Sequence, residues 1–600
     1  MTTVAKSQDV CTGCRSRKKK CNGDRPSCSS CLKRGDVCFY AGAPSQVPAC
    51  LPAEWLPISD LEEPQDGSVW MSDMPHGDGT ARPIDWPSIE PEMLGQEPEA
   101  WIGSIDSVQQ QGSQLESSSS DPTGSSTTPL SSATLPPQKE LMELVDLYFE
   151  KFYSYLPILH RSTLISKLKS PGYDSHLLLF SIIAVTASAH PNREIQQAQI
   201  GWYNEARSLF SKALHSTDNP LQTILSANFI IFQAMILTEY STAWMFLGAA
   251  WRLCVACNLQ QQDRGALTRL SLCTPEPPTN WITREECRRA VWVLFIFDRG
   301  MCFPVGLTHA IDDRQLRINF PMDDDEFQAA STPSTNNSIL YTSNLDRLIT
   351  LVQGQSRKKT ATLMQFIVLA YVFLGRVCER IYTLDGDSDE QRPYIDALTS
   401  YLLRIRLMLP QSATSLSAAN YSDFTLVTWL NIVLNTSTIL LYHKPLHGNE
   451  THEGQSELAT NWPHCVAAAR NSVSMIRDAS RTSTEIFINP HLSSKLFTCG
   501  RIIVMEYLCP STKKSSTSPD SACLKDPALR DDIEVLLLTF ERMREALKGV
   551  GRKFRNGLVF CLREDKAQVL ESKACGSSDL LKSCANWPLV DDDEGLVFSI

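Results

Sequence analysis

Along most of this chain, apolar side chains recur every three or four residues. Starting at Leu141 they continue through Leu144, Val145, Tyr148, Phe149, Phe152 and Tyr155, while Glu143, Asp146, Glu150 and Lys151 occupy the positions between, and Pro157 ends the pattern. That spacing places one apolar stripe on a helix and predicts its stop. The same period predicts helices near 176–189, 194–215, 220–239, 242–258 and 283–301. Later ones are expected near 362–384, 392–409, 421–444, 462–480, 491–508 and 530–547. Residues 221–237 are apolar nearly all round, which predicts a central helix with no solvent face. Thr283 with Glu286 three positions on predicts a capping box at the start of the helix that follows. Within that helix Glu285 and Arg289 stand one turn apart in the favourable order, and Arg288 is placed to stack on Trp292. No run of alternating strands and no βαβ pattern appears. The expected bulk is therefore an all-α domain over 139–550, with a C-terminal tail over 551–600.

The helical period is absent before residue 139. Residues 41–100 hold twelve Asp plus Glu against a single basic residue, Arg82, with Pro throughout, so they cannot pack a core. Trp55, Trp70, Trp86 and Trp101 recur among these acids at intervals of 15 or 16 residues. This is the acidic-hydrophobic alternation of disordered activation segments; a plain linker is the bland reading. Residues 102–138, rich in Ser, Thr, Gln and Gly, read as a flexible tether, so 41–138 as a whole is expected to be a disordered linker. Pro44, Pro48, Pro52, Pro57 and Pro64 exclude a coiled coil at its start and leave dimerisation open. Acids and bulky apolar residues mix again at the far end, from Trp587 to Phe598.

Composition narrows the class. At 42 % hydrophobic, the 600 residues can build a large core. The longest strongly apolar runs, 177–189 and 363–375, fall short of the ~20 residues a bilayer span requires, so no membrane partner is expected. The N-terminus lacks the basic and apolar regions of a secretion signal, and the cysteines are accordingly read as reduced thiols. Cys254 and Cys257 form a lone C-x2-C within a helical pattern and are read as core residues, while Arg357, Lys358 and Lys359 are read as a solvated loop.

The N-terminal forty residues are different in kind. Cys11, Cys14, Cys21, Cys28, Cys31 and Cys38 follow a two-then-six spacing that repeats in both halves. So short a segment, with Val10, Leu32, Val37, Phe39 and Tyr40 as its sizeable apolar residues, cannot fold on hydrophobic burial alone. Six thiolates satisfy two tetrahedral zinc ions only if two sulfurs bridge both ions. By the internal symmetry the bridging pair is Cys11 and Cys28; Cys14 and Cys21 complete one ion, Cys31 and Cys38 the other. Metal binding is then folding, contributing on the order of 10–16 kcal/mol. A disulfide framework needs an oxidising compartment, and an iron–sulfur cluster favours tighter spacings.

Charge separates the two parts further. Residues 1–40 carry nine Lys plus Arg against three Asp, a formal +6, in a chain whose total is −11. Arg15, Arg17, Lys18, Lys19 and Lys20 lie between the second and third Cys, and a basic run held inside a metal-bound half reads as a DNA-facing surface.

The Cys spacing, the run from Arg15 to Cys21 and Pro26 between the halves together resemble the fungal Zn2Cys6 binuclear-cluster transcription factors. That resemblance implies a first helix whose end enters the major groove of double-stranded DNA at a CGG-type triplet. Lys18 and Arg17 would donate to guanine O6 and N7, Arg15, Lys19 and Lys20 would meet phosphates, and Pro26 would set the loop between halves. Roughly over residues 140–450 the chain resembles the fungal-specific regulatory domain that accompanies such clusters. The resemblance is carried by Leu147-Tyr148-Phe149 with Leu156-Pro157-Ile158-Leu159-His160, by Ala249-Ala250-Trp251-Arg252-Leu253, and by Arg288-Arg289-Ala290-Val291-Trp292 with Asp298-Arg299.

These features imply a nuclear, zinc-dependent regulator of RNA polymerase II transcription. The expected role is an activator of a metabolic or secondary-metabolite gene set, working with coactivator machinery and open to a small-molecule effector in its helical domain. A repressor or interaction scaffold built on the same module is the alternative. An enzyme is not expected: there is no phosphate-cradling Gly-rich loop, no H-E-x-x-H and no G-x-S-x-G.

Overall fold

The computed structural model describes residues 14, 20–21 and 28–33, and then 134–580 apart from 174, 217–218, 265–279, 305–307, 330–337, 357–360, 384–387, 444–451, 484–486, 488, 512–525 and 578–579. The chain separates into one unit over Met1–Thr123 and a second over Gly124–Ile600. In the first, the described regular element is a single short helix, α1 (Ser29–Leu32). The acidic segment 41–100, the bulk of the tether and the C-terminal acidic stretch lie outside the described residues.

The second unit is helical. In order it contains α2 (Gln138–Leu147), α3 (Arg161–Leu168), α4 (His176–Thr186), α5 (Arg193–His215), α6 (Pro220–Ile236), α7 (Tyr240–Ala256), α8 (Trp281–Cys302) and α9 (Asp324–Gln328). These are followed by α10 (Leu345–Ser356), α11 (Leu363–Thr383), α12 (Ser388–Met408), α13 (Gln411–Thr414), α14 (Phe424–Tyr442), α15 (His452–Ser480), α16 (Pro490–Leu508), α17 (Pro527–Ala546), α18 (Lys548–Cys561) and α19 (Lys566–Cys575). Among the described residues no strand forms; Asn319 and Leu340 make an isolated antiparallel bridge.

The stripe that predicted α2 is buried, with Leu141, Leu144 and Val145 inward. The helix then widens into a π-helical turn over Tyr148–Phe152, and the Tyr148 hydroxyl donates to the Leu156 carbonyl at 2.5 Å, tying off the chain just before Pro157. α6, apolar all round, buries every side chain from Thr223 to Ile236 and is central as its pattern requires. α4 and α14 are buried in the same manner, and a single continuous hydrophobic core joins α2 to α19.

α14 changes one expectation. The segment Tyr421–Tyr442 is long and apolar enough to cross a membrane by length and composition, unlike the runs singled out from sequence, yet 78 % of that window is buried within the protein. Two of its buried amides are satisfied there: Asn431 donates to the Ala413 carbonyl at 2.8 Å and Asn435 to the Ser472 hydroxyl at 3.1 Å. Packing against neighbouring helices covers most of this surface.

The expected start of α8 is also different. Asn280 is its N-cap, accepting from the Ile282 N–H at 3.1 Å, so the helix begins before Thr283 and the Thr283/Glu286 box does not form. Glu286 instead accepts the His160 backbone N–H at 3.0 Å, a partner that lies 126 residues away in the chain. Arg288 does not stack on Trp292. It turns to Asp263, with Nη2 to a carboxylate oxygen at 2.7 Å, and to Glu285, because a desolvated carboxylate holds a guanidinium more strongly than a ring face does.

Helices also occur where none was expected. α3, α10 and α19 are among them, as is α18, which carries Gly549, Gly551 and Gly557, residues that lower helix propensity. The residue-550 boundary between expected domain and expected tail falls inside α18, and α18 packs closely on α17 and α16.

Candidate metal centre and nucleic-acid interface

Cys28 is the N-cap of α1, with an extended backbone (φ −70°, ψ 151°), and its sulfur accepts from the Cys31 N–H at 3.4 Å. The short helix therefore turns Cys28 and Cys31 toward the same point, as a C-x2-C pair at a helix start does. Cys14, from the first half, meets them: its Sγ lies 3.6 Å from Cys28 Sγ, and the three sulfurs all lie within 4.8 Å of one another. All three are buried, none is disulfide-bonded, and Cys21 packs against them.

Whether these residues fit zinc can be judged from that geometry. Four sulfurs at ~2.3 Å from a tetrahedral zinc are separated by about 3.8 Å along each edge. The Cys14–Cys28 separation is close to that edge and far beyond a bonded disulfide, so the sulfurs fit a shared cation. Among the described residues this is the sole set of His, Cys, Asp or Glu atoms converging in this way. The thiols of the helical unit are of another kind: burial pushes Cys287, Cys378 and Cys465 up to about 12, which keeps them protonated. Cys254 is buried in the core, its thiol also pushed up by burial, which agrees with a packing role for the lone C-x2-C.

Of the sequence-derived site residues, Cys14, Cys21, Cys28 and Cys31 are thus brought together. Lys20 is exposed immediately before Cys21, and Lys33 is exposed at the end of α1. Cys11, Cys38, Arg15, Arg17, Lys18, Lys19 and Pro26 lie outside the described residues.

In the helical unit, the motifs that carried the resemblance converge on α8. Arg289, 1 % exposed, donates from Nε to Glu285 at 3.0 Å, from Nη1 to the Pro157 carbonyl at 3.0 Å and from Nη2 to the Met322 carbonyl at 2.7 Å. Asp324 pairs with the same guanidinium, which lies 4.3 Å over the Phe327 ring. Glu286 and Arg289 together clamp the Leu156–His160 segment against α8, and Gln328 adds a bond to the Leu159 carbonyl at 3.0 Å. Farther along the same helix, buried Asp298 pairs with Arg299 and accepts the backbone N–H groups of Ala310 at 2.9 Å and Ile311 at 3.2 Å. These charges brace connections between helices. The glutamate at 286 reaching a distant backbone could not be read from local spacing, since the signal lies in the tertiary fold.

Comparison with known proteins bears on both units. Residues 9–46 match the fungal Zn(2)-Cys(6) binuclear cluster domain, and residues 145–417 match the fungal specific transcription factor domain. The chain belongs to the Zn(2)-C6 fungal transcription factors. The cluster domain of that family binds two zinc ions, in keeping with the sulfurs gathered at Cys14, Cys28 and Cys31. Among similar proteins, the azaphilone cluster-specific transcription factor of Aspergillus niger is 24 % identical over 328 residues, covering 53 % of this chain and 62 % of its own. The citrinin biosynthesis transcriptional activator of Monascus ruber is 21 % identical over 344 residues, covering 53 % of this chain and 64 % of its own. Transcription factor FBD3 of Gibberella moniliformis is 43 % identical over 54 residues, 9 % of this chain and 7 % of its own. The matched region thus spans less than two thirds of these relatives. Families and relatives alike are transcription factors, not enzymes. No solved structure matches the chain.

Proposed function

We propose that this chain is a nuclear, sequence-specific DNA-binding regulator that activates RNA polymerase II transcription of a secondary-metabolite gene set. The observation that carries the reading is the buried gathering of Cys14, Cys28 and Cys31 sulfurs inside a strongly basic N-terminal segment. On this reading all six cysteines hold two zinc ions, bridged by Cys11 and Cys28, and the folded cage presents the basic run of the first half to DNA. Lys18 and Arg17 read a CGG-type triplet, Arg15, Lys19 and Lys20 hold phosphates, and Pro26 shapes the loop between halves. Residues 41–138 tether this module to the helical regulatory domain, which we extend from 139 to the end of α19 at Cys575. The similarity to the azaphilone and citrinin regulators supports the choice of pathway class, and the second, a transcriptional activator, supports activation. Coactivator machinery is the expected partner.

The test uses the zinc-loaded full chain on labelled duplexes that differ only at the triplet. Lys18→Ala is expected to cost about 1–3 kcal/mol on the CGG duplex and to erase discrimination against altered triplets. A loss that is uniform over all duplexes would place Lys18 on a phosphate and remove it from base reading.

A further inference from the structure

A cavity of about 440 Å³ opens where α6, α7, α8, α16 and α18 meet, within the range typical of small-molecule sites. Its wall is mostly apolar, and Met245 at its side is largely exposed. One lining residue stands out. His491 is 2 % exposed, and its ring stacks with Phe297 (centroids 5.2 Å apart, planes at 13°) and with Trp429 (5.0 Å, 17°). With rings stacked on it, the imidazole offers its nitrogens at the ring edge. Neither ring nitrogen has a hydrogen-bond partner among the described residues. Folded proteins rarely leave a buried polar group so without a ligand or water to complete it.

The space before one of those nitrogens is left open by a glycine. A Cβ on Gly300 of α8 would stand 3.6 Å from His491 Nδ1 and 3.9 Å from Lys495 Nζ. Lys495 is itself buried, set 4.9 Å over the Phe303 ring, and Lys553 lines the cavity on α18. None of the described lining residues is Asp or Glu, and Lys553 is the charged one among them. The Trp244 indole N–H, also lining, is a second buried donor without a partner among the described residues. Burial, with the Lys495 charge beside it, holds the His491 imidazole neutral, so that one nitrogen donates and the other accepts.

We propose that this cavity binds a small, largely apolar acid whose carboxylate meets His491 in the gap left by Gly300, with its ring body against the methionine and tryptophan wall. This deepens the reading of the helical domain as the regulatory half. Because the test below reads ligand binding and not DNA binding, the two readings can fail separately.

Titration calorimetry of the zinc-loaded full chain with 2-naphthoate, and with 2-methylnaphthalene as its uncharged counterpart, tests the proposal. One naphthoate is expected per chain, bound at least ~10-fold more tightly than the hydrocarbon, the span of a hydrogen bond to a charged group. His491→Phe keeps the aromatic stacking but removes both nitrogens, and should cost naphthoate about 10-fold or more while leaving 2-methylnaphthalene unchanged. Gly300→Ala places a methyl at ordinary contact distance before Nδ1 and should do the same, so it serves if the first variant unfolds. Absence of saturable naphthoate binding, equal affinity for acid and hydrocarbon, or affinity unaltered in the variants overturns the site.

Discussion

Arg289 illustrates how a single buried charge is tolerated. Its guanidinium is surrounded by two carboxylates, two backbone carbonyls and the face of Phe327, so most of its donors are used. Removing one partner of a buried ion pair costs about 3–5 kcal/mol because the other is left desolvated. Arg288 still serves Glu285 here, so Arg289→Met is expected at the lower end, about 3 kcal/mol by urea unfolding. A loss below about 1 kcal/mol, the size of a surface pair, would show that the network is dispensable. His443 makes a prediction of the opposite kind. Burial, with the Lys573 and Arg501 charges nearby, lowers its pKa from 6.5 to about 4. The unfolded chain then binds the proton first, so stability is complete above pH 6.5 and is lost as pH falls toward 4. That loss amounts to about 3 kcal/mol. His443→Phe should flatten the stability curve in this window, and a curve of unchanged slope would remove His443 as its cause.

At the scale of elements, the crossing of α17 and α18 depends on one missing side chain. A Cβ on Gly551 would come within 2.3 Å of the Arg544 backbone N and 2.5 Å of the Phe540 carbonyl. Backbone atoms cannot rotate away as a side-chain tip can. Gly551→Ala is therefore expected to force the helices apart and destabilise by about 1–3 kcal/mol or more, despite alanine's better helix propensity. Gly549→Ala provides the contrast: the nearest atoms to its added Cβ belong to the Thr238 side chain, from 2.9 Å, and none of these is backbone. Thermal melting of the two variants should separate them clearly, and similar melting points would contradict the assigned crossing. The apolar pattern of α18 is itself helical, with Val550, Phe554, Leu558 and Cys561 buried at that spacing, but its glycines speak against a helix. Glycines that permit helix contact lower the helix signal from sequence, so the residues most needed for packing argue against the element.

For the whole molecule, the two units are held by different forces. The helical unit has a continuous core, whereas the described apolar cluster of the N-terminal unit consists of Cys14, Cys28 and Cys31 with Cys21 against them. A chelator strong enough to strip zinc should abolish DNA binding by the full chain while leaving its main cooperative melting transition in place. Atomic absorption on the untreated chain should give about two zinc per molecule. Full DNA binding after metal removal would sink the metal-dependent reading module.

Much of this architecture is legible in the amino-acid sequence alone. The two-then-six cysteine spacing is a covalent fact about reach, and thiol chemistry limits what six such sulfurs can hold. Amphipathic periods locate α2, α5 and α17 because each helix must turn its own apolar stripe inward. The Glu285–Arg289 pair is legible at one-turn spacing, but tertiary structure decides which charged and polar groups meet beyond that reach. Glu286 leaves its expected cap for the His160 backbone, Arg288 leaves Trp292 for Asp263, and α14 becomes a core helix because its neighbours cover it. It also decides that His491, an ordinary histidine in the sequence, stacks with two rings at the wall of a cavity. Local spacing fixes what a residue can reach within a turn or two, but the partners of a desolvated polar group come from wherever the chain returns, and burial makes those distant partners the stronger ones.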